Sequence, residues 1–455
     1  MDLVNENLNT CIKKIAIPSS IGFLFNTLFN ITDTYFTGFI SVKALAGLSL
    51  SFPVFFILIS LGSGMGMGLS ALISNAIGEK DKDKGIELAK DGILIGILTG
   101  LFISVIGLKF NRQLFLLMGA GEKELLLGME YTKWIFIGAV FFCLNSIFNG
   151  ILVAQGNTKV YRNFLIIGFL ANVVLDPFFI FVLKTTTDGV AIATVLIQLV
   201  GSVYLYFKVK KSPLILKQNY NIKIPSIKNI KDILNQGLPA SFNMMTIAVG
   251  VFVINHYIQK VGGSSAIASY GISTRIEQLI LLPAIGLNSA ALSISGQSFG
   301  AKKIDRIKQV FIKTMFYGFV IMTIGMLSIS YLLPYLFSVF TKDLEVVEYG
   351  VSYFSIEKFT FNSYILINIC DAVLRGLKFP KFSILIGIYR QFLMPILCFP
   401  ILIKIFQGIQ GIWIGILIIN WSAGFLFLVY FIFVYKKIKE KRKSWHVSVD
   451  KNINL

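Results

Sequence analysis

The sequence predicts an all-α integral membrane protein with twelve transmembrane helices in two six-helix lobes, related by an internal parallel repeat. Three observations predict it. Of the 455 residues 55% are hydrophobic, only 14% are charged and the mean hydropathy is +0.75, whereas soluble domains carry about 25% charged residues. Twelve stretches are apolar for the roughly 20 residues that a spanning helix needs. The chain also matches itself on either side of a Lys-rich segment near its middle, at a shift of about 220 residues.

The expected spans are 15–40, 48–74, 92–108, 131–154, 163–183 and 190–207, then 233–258, 270–295, 311–337, 351–374, 382–403 and 412–435. Each is apolar around most of its circumference, as helices facing lipid or other helices are. The implied units are a first lobe (1–207), a linker (208–232), a second lobe (233–435) and a basic tail (436–455). The stretch Lys208–Lys231 holds seven lysines, Pro213 and Pro225. The repeat shows as Ala44-Leu-Ala-Gly-Leu-Ser against Ala266-Ile-Ala-Ser-Tyr-Gly, and as Asn75-Ala-Ile-Gly78-Glu-Lys80 against Gln297-Ser-Phe-Gly300-Ala-Lys302. Gln155-Gly156 echoes Arg375-Gly376, and Pro18 echoes Pro239. Parallel repeats of six spans are related by an axis along the membrane normal, a common plan of secondary transporters.

The net charge of +19 has a topological explanation. About 30 of the 42 Lys and Arg fall on the side holding both termini and the loops after even-numbered spans, against about nine on the other. That side is expected to be cytoplasmic, with the tail segment Lys436–Lys443 against the inner leaflet. No basic surface interleaved with aromatics suggests nucleic acid. Four scattered cysteines and two distant histidines, His256 and His446, suggest neither a disulfide framework nor a metal cluster. The first residues do not read as a cleavable signal. Without a Walker A sequence, ATP hydrolysis within the chain is not expected.

The informative residues are polar ones inside the spans. Asp176, in Asn172-Val-Val-Leu-Asp176-Pro177, sits deep in span 5, where a central carboxylate costs about 2.5 kcal/mol or more. Asn172 shares its helix face, and Pro177 removes a backbone donor beside it. Asp33, between Thr32 and Thr34, is a second buried acid in span 1, and Pro18 upstream is a candidate bend. Thr194 lies in the middle of span 6. Asn145 and Asn149 form an i, i+4 pair in span 4, equally readable as helix glue or as a site. The second half has Asn243, Asn255 and His256 but no acid in span 7. Arg275 and Glu277 open span 8, Glu357 and Lys358 lie in span 10, and Arg390 lies in span 11. Asp371 and Arg375 are spaced to form an ion pair.

These residues resemble the multidrug and toxic compound extrusion (MATE) transporters over nearly the whole chain. The resemblance rests on Thr32-Asp-Thr-Tyr-Phe-Thr-Gly38 with Ala44-Leu-Ala-Gly-Leu, and on Asn172-x-x-x-Asp176-Pro177. It rests also on Tyr270-Gly-Ile-Ser-Thr-Arg275-Ile-Glu277, Leu282-Pro-Ala-Ile-Gly286 and Gly296-Gln-Ser-Phe-Gly300-Ala. The acid-free span 7 looks like the DinF-type branch rather than the NorM-type. The resemblance implies two lobes in a V around a cavity, and antiport in which H⁺ or Na⁺ enters as an organic, usually cationic, drug leaves. It implies a coupling site at Asp33, Asn172, Asp176 and Thr194, with Na⁺ as the possible metal there. Tyr131, Asn145 and Asn149 would line the first-lobe cavity. From proline's own backbone chemistry Pro18 and Pro177 are the conformational candidates, and no cofactor is expected, H⁺ or Na⁺ being the coupling ion. The expected setting is a bacterial or archaeal inner membrane, with the chain acting as a monomer on small organic cations. Two nearby buried acids should titrate as a coupled pair. The alternatives are a lipid-linked oligosaccharide flippase, which would favour a cationic cavity, a membrane enzyme and a passive channel. The enzyme reading lacks a His cluster, a nucleophile elbow or a metal motif.

Overall fold

The computed structural model describes residues 1–117, 121–216 and 225–453, with side chains undescribed at 117, 334, 338–340 and 442–453. Among these residues the chain is helical almost throughout. The first half comprises α1 (Leu8–Ile40), α2 (Val42–Gly78), α3 (Lys82–Leu117), α4 (Glu122–Ile137), α5 (Ala139–Ala154), α6 (Lys159–Pro177) and α7 (Thr187–Lys210). The second comprises α8 (Ile227–Ile280), α9 (Leu282–Gly300), α10 (Ile304–Phe340), α11 (Leu344–Glu357), α12 (Phe361–Gly376), α13 (Lys381–Ile388), α14 (Met394–Ile405) and α15 (Gln410–Ile453).

These helices make the twelve spans of a two-lobe membrane fold once the interrupted ones are joined. Span 4 is α4 and α5, bent by 52° at Gly138. Span 5 is α6 continued by a π-turn, Phe178–Val182. Span 10 is α11 and α12 around a short 3₁₀ turn, Lys358–Thr360, and span 11 is α13 and α14 around a second π-turn, Tyr389–Leu393. Spans 7 and 8 run together through α8. The chain turns between them at Gly263, whose φ of 67° is a conformation that a residue with a Cβ rarely adopts.

The halves repeat in detail. Helices α5 and α12 have the same length, 16 residues, and occupy matching places. After α2 and α9 the chain leaves through the same left-handed turn, at Lys80 (φ 61°) and Lys302 (φ 56°). The Gln155-Gly156 echo shifts slightly: left-handed Gly156 (φ 73°) stands opposite left-handed Lys378 (φ 66°), not opposite Gly376.

The beginning of the chain crosses to the other lobe. Leu3, Leu8, Cys11, Ile12 and Ile15 are buried in the second lobe's core. Arg306 donates to the carbonyls of Leu3 (3.0 Å) and Glu6 (2.7 Å), and Lys313 donates to Asn9 Oδ1 (2.8 Å). The expected linker begins as an ordered turn, where Leu214 and Ile215 are buried against the first lobe and Leu214 N–H donates to Gln155 Oε1 (3.1 Å). Its residues 217–224 lie outside the described residues. The basic segment Lys436–Lys443 continues α15 as helix.

Candidate functional site

Asp33 in α1, Asn172 and Asp176 in α6 and Thr194 in α7 come together in the first lobe. All four are buried, with exposures of 4%, 0%, 0% and 1%. Asn172 Nδ2 donates to Asp33 Oδ1 at 2.8 Å, and Thr194 Oγ1 donates to Asp33 Oδ2 at 3.4 Å. Asp176, one helical turn from Asn172, adjoins both Asn172 and Asp33. The helices make this meeting possible because each brings one polar face to an otherwise apolar seam.

The donors are distributed unequally. Asp33 receives two hydrogen bonds, whereas both oxygens of Asp176 and Oδ1 of Asn172 are buried without a donor. Two carboxyls that face each other are both acceptors when ionised, so neither satisfies the other, and Asp176 has no donor from the rest of the protein. An unpaired buried carboxylate is strongly disfavoured. A proton shared by the pair fits this arrangement. So does a small hard cation, which takes oxygen ligands of this kind. Among the described residues no group of three or more His, Cys, Asp and Glu is arranged to hold a metal. Here the oxygens of two acids are complemented by neutral oxygens from Asn172 and Thr194.

Tyr131 is buried and near enough to Asp33 and Asp176 to feel their charge. Asn145 has a different environment. Its amide donates to the carbonyl of Gln198 (3.0 Å) and to Gln198 Oε1 (2.7 Å), and its oxygen accepts from Ser202 Oγ (2.9 Å). Of the two readings of Asn145, these contacts are those of helix glue between α5 and α7. Asn149, one turn on, is half-buried. Pro177 closes α6 where the backbone widens into the π-turn, a distortion frequent at functional sites. Pro18 is buried inside α1, which continues through it to Asp33 and beyond.

The second lobe contains a buried polar cluster that sequence spacing did not reveal. Tyr353 Oη donates to Glu277 Oε2 (3.0 Å), and Tyr364 Oη donates to Glu357 Oε1 (3.2 Å). The Arg390 guanidinium lies over the Tyr364 ring, 5.7 Å from its centroid, and beside both glutamates. The residues come from α8, α11, α12 and the second π-turn, so only tertiary structure assembles them. Arg390→Met should leave two buried acids without their nearby cation and markedly lower the melting temperature in detergent. Adding Glu357→Gln should recover much of the loss; an unchanged melting temperature in Arg390→Met contradicts this charge balance.

The family model described as MatE matches residues 18–178 and again 239–400, one match in each half. The multidrug export protein MepA of Staphylococcus aureus (strain MSSA476) is 29% identical over 338 residues, 73% of this chain and 74% of that protein. An FAD transporter of Shewanella oneidensis is 25% identical over 427 residues, 93% of this chain and 94% of that one. Among solved structures, an outward-facing multidrug resistance MATE family transporter of the MOP superfamily superposes with a TM-score of 0.91 at 26% identity, covering 96% of this chain and 98% of the other. A MOP superfamily transporter from Pyrococcus furiosus gives 0.90 at the same identity and coverage.

Proposed function

This chain belongs to the MatE family of membrane transporters, and from that premise we propose that it exports organic cations in exchange for H⁺ or Na⁺ by alternating access. It is a multi-pass membrane transporter, not an enzyme. The observation that carries the coupling reading is the meeting of Asp33, Asn172, Asp176 and Thr194, in which three buried acceptor oxygens lack any protein donor. The acid-bearing first lobe and acid-free span 7 also support the DinF-type branch.

The mechanism follows from charge. With both acids ionised, the first lobe holds two buried negative charges and favours an arriving cation. A proton or Na⁺ at the pair removes that attraction and favours the opposite orientation. A ligand shifts such an equilibrium only by its different affinity for the two states. Cationic cargo suits the acids, and the multidrug export relative supports drug export. The FAD transporter among the relatives makes an anionic cargo the comparison to test.

The test is efflux of a fluorescent organic cation, and separately of FAD, from vesicles under a Na⁺ or an H⁺ gradient imposed alone. Uphill movement of the cation under one gradient supports antiport. Movement only down its own gradient sinks it in favour of a passive channel, and transport of FAD alone reverses the cargo assignment.

The proposed orientation places both termini and the linker in the cytoplasm, because Lys and Arg collect there. A single cysteine at position 217 should then resist an impermeant thiol reagent in intact cells and react after permeabilisation. Ready labelling in intact cells reverses the topology.

A further inference from the structure

We propose that Asn75 and Gln297 form a two-fold latch that holds the lobes together on the face bearing the termini, each amide capping a helix of the opposite lobe. Asn75 Nδ2, on α2, donates to the carbonyl of Gly376 at 2.9 Å, and Gln297 Nε2, on α9, donates to the carbonyl of Ala154 at 2.7 Å. Gly376 and Ala154 are the last residues of α12 and α5. The final carbonyls of a helix have no partner within it, so these two take their donor from across the lobe interface.

The arrangement is reciprocal. Asn75 and Gln297 stand at one shift of about 220 residues, as do Ala154 and Gly376 and the glycines Gly78 and Gly300. The glycines let the backbones meet. A Cβ on Gly78 would lie 2.1 Å from the Gln297 carbonyl oxygen, and one on Gly300 would lie 2.1 Å from that of Asn75. Both amide residues are buried, at 1% and 2% exposure. Asn75 Nδ2 also donates to the Ala71 carbonyl of its own helix (2.7 Å) and keeps that bond when the lobes part. Separation still leaves two helix ends and the Gln297 amide to find new partners, so the closed state is favoured until water or cargo replaces them.

Two neighbouring interlobe bonds lie from mid-membrane to the same face: Ser241 Oγ to the Leu61 carbonyl (3.1 Å) and Asn229 Nδ2 to Asp91 Oδ2 (2.8 Å). Towards the other face, Phe52 on α2 and Phe252 on α8 are both exposed. That the latched face is cytoplasmic rests on the orientation given under Proposed function; the latch itself does not.

The test is the distance between spin labels at Lys82→Cys and Asp305→Cys, exposed residues in the first turns after α2 and α9. It uses the full chain in lipid nanodiscs without substrate, with Cys398 replaced by serine because the other three cysteines are buried. Asn75→Leu and Gln297→Leu should each raise the ratio of separated to closed molecules about fivefold to tenfold, the effect of one buried hydrogen bond, and the double variant should exceed either. Gly78→Val, which keeps both amides, should also separate the labels. Asn75→Gln, which copies the residue of the other repeat, should restore most of the closed population. If the leucine variants do not accumulate, Asn75→Ser and Gln297→Ser, too short to reach across, carry the same expectation. An unchanged distance distribution in the folded single variants overturns the latch. Because the measurement uses no cargo and no ion gradient, that outcome leaves the coupling reading standing.

Discussion

Asp33→Asn and Asp176→Asn should each abolish gradient-driven efflux while leaving expression and folding near normal. Both substitutions keep the side-chain shape and remove a buried negative charge. Each also supplies an amide N–H to a place crowded with acceptors, so the fold gains a donor where Asp176 and Asn172 have unpartnered oxygens. Coupling fails because the site can no longer alternate between a charged and a neutralised state. The double variant should be little worse than either single one, as happens when groups that act as a unit are removed together. Thr194→Val should be milder, since it deletes one neutral oxygen and its 3.4 Å bond to Asp33. The readout is efflux of a fluorescent cation from vesicles, normalised to folded protein. Near-normal coupled efflux in both single variants makes these acids structural.

Asp371→Asn should instead cost stability. Arg375 Nη2 contacts Asp371 Oδ2 at 2.6 Å, with both side chains almost fully buried, and Ser383 Oγ also donates to Asp371. The ion pair that helical spacing suggested is therefore formed, in a setting where breaking it matters. Removing one partner of a buried pair costs about 3–5 kcal/mol, because the other charge stays behind unpaired. Expression and melting temperature should fall clearly, yet each molecule that folds should couple efflux to the ion gradient. Arg375→Met combined with Asp371→Leu should recover stability, since an apolar pair can replace a buried ion pair. Normal stability with lost coupling in Asp371→Asn places coupling chemistry in the second lobe and overturns the first-lobe account.

The spans were readable because lipid demands long apolar runs whatever the tertiary detail. The repeat was readable because matching helix ends need the same residues, as at Gly78 and Gly300. The site was half readable. Helical spacing puts Asn172 on the face of Asp176, but nothing local says that Asp33, 139 residues from Asn172, accepts its hydrogen bond. Likewise Glu277, Tyr353 and Arg390 read as unrelated polar residues until three separate segments converge. Asn145 was ambiguous for the same reason, since glue and cavity differ only in whether a neighbour such as Gln198 supplies the partner. The crossing of residues 3–15 into the second lobe has no signal in apolar periodicity, because it depends on Arg306 and Lys313 far along the chain.

The account's central claim is that an arriving organic cation displaces a proton or Na⁺ from Asp33 and Asp176. The most direct measurement is ion release from the purified full-length protein on adding the fluorescent cation, followed with a pH indicator in weak buffer and with a Na⁺ electrode. The account predicts release of one of the two ions from the wild-type protein and none from Asp33→Asn or Asp176→Asn. Release of equal size from the wild type and both variants would contradict it.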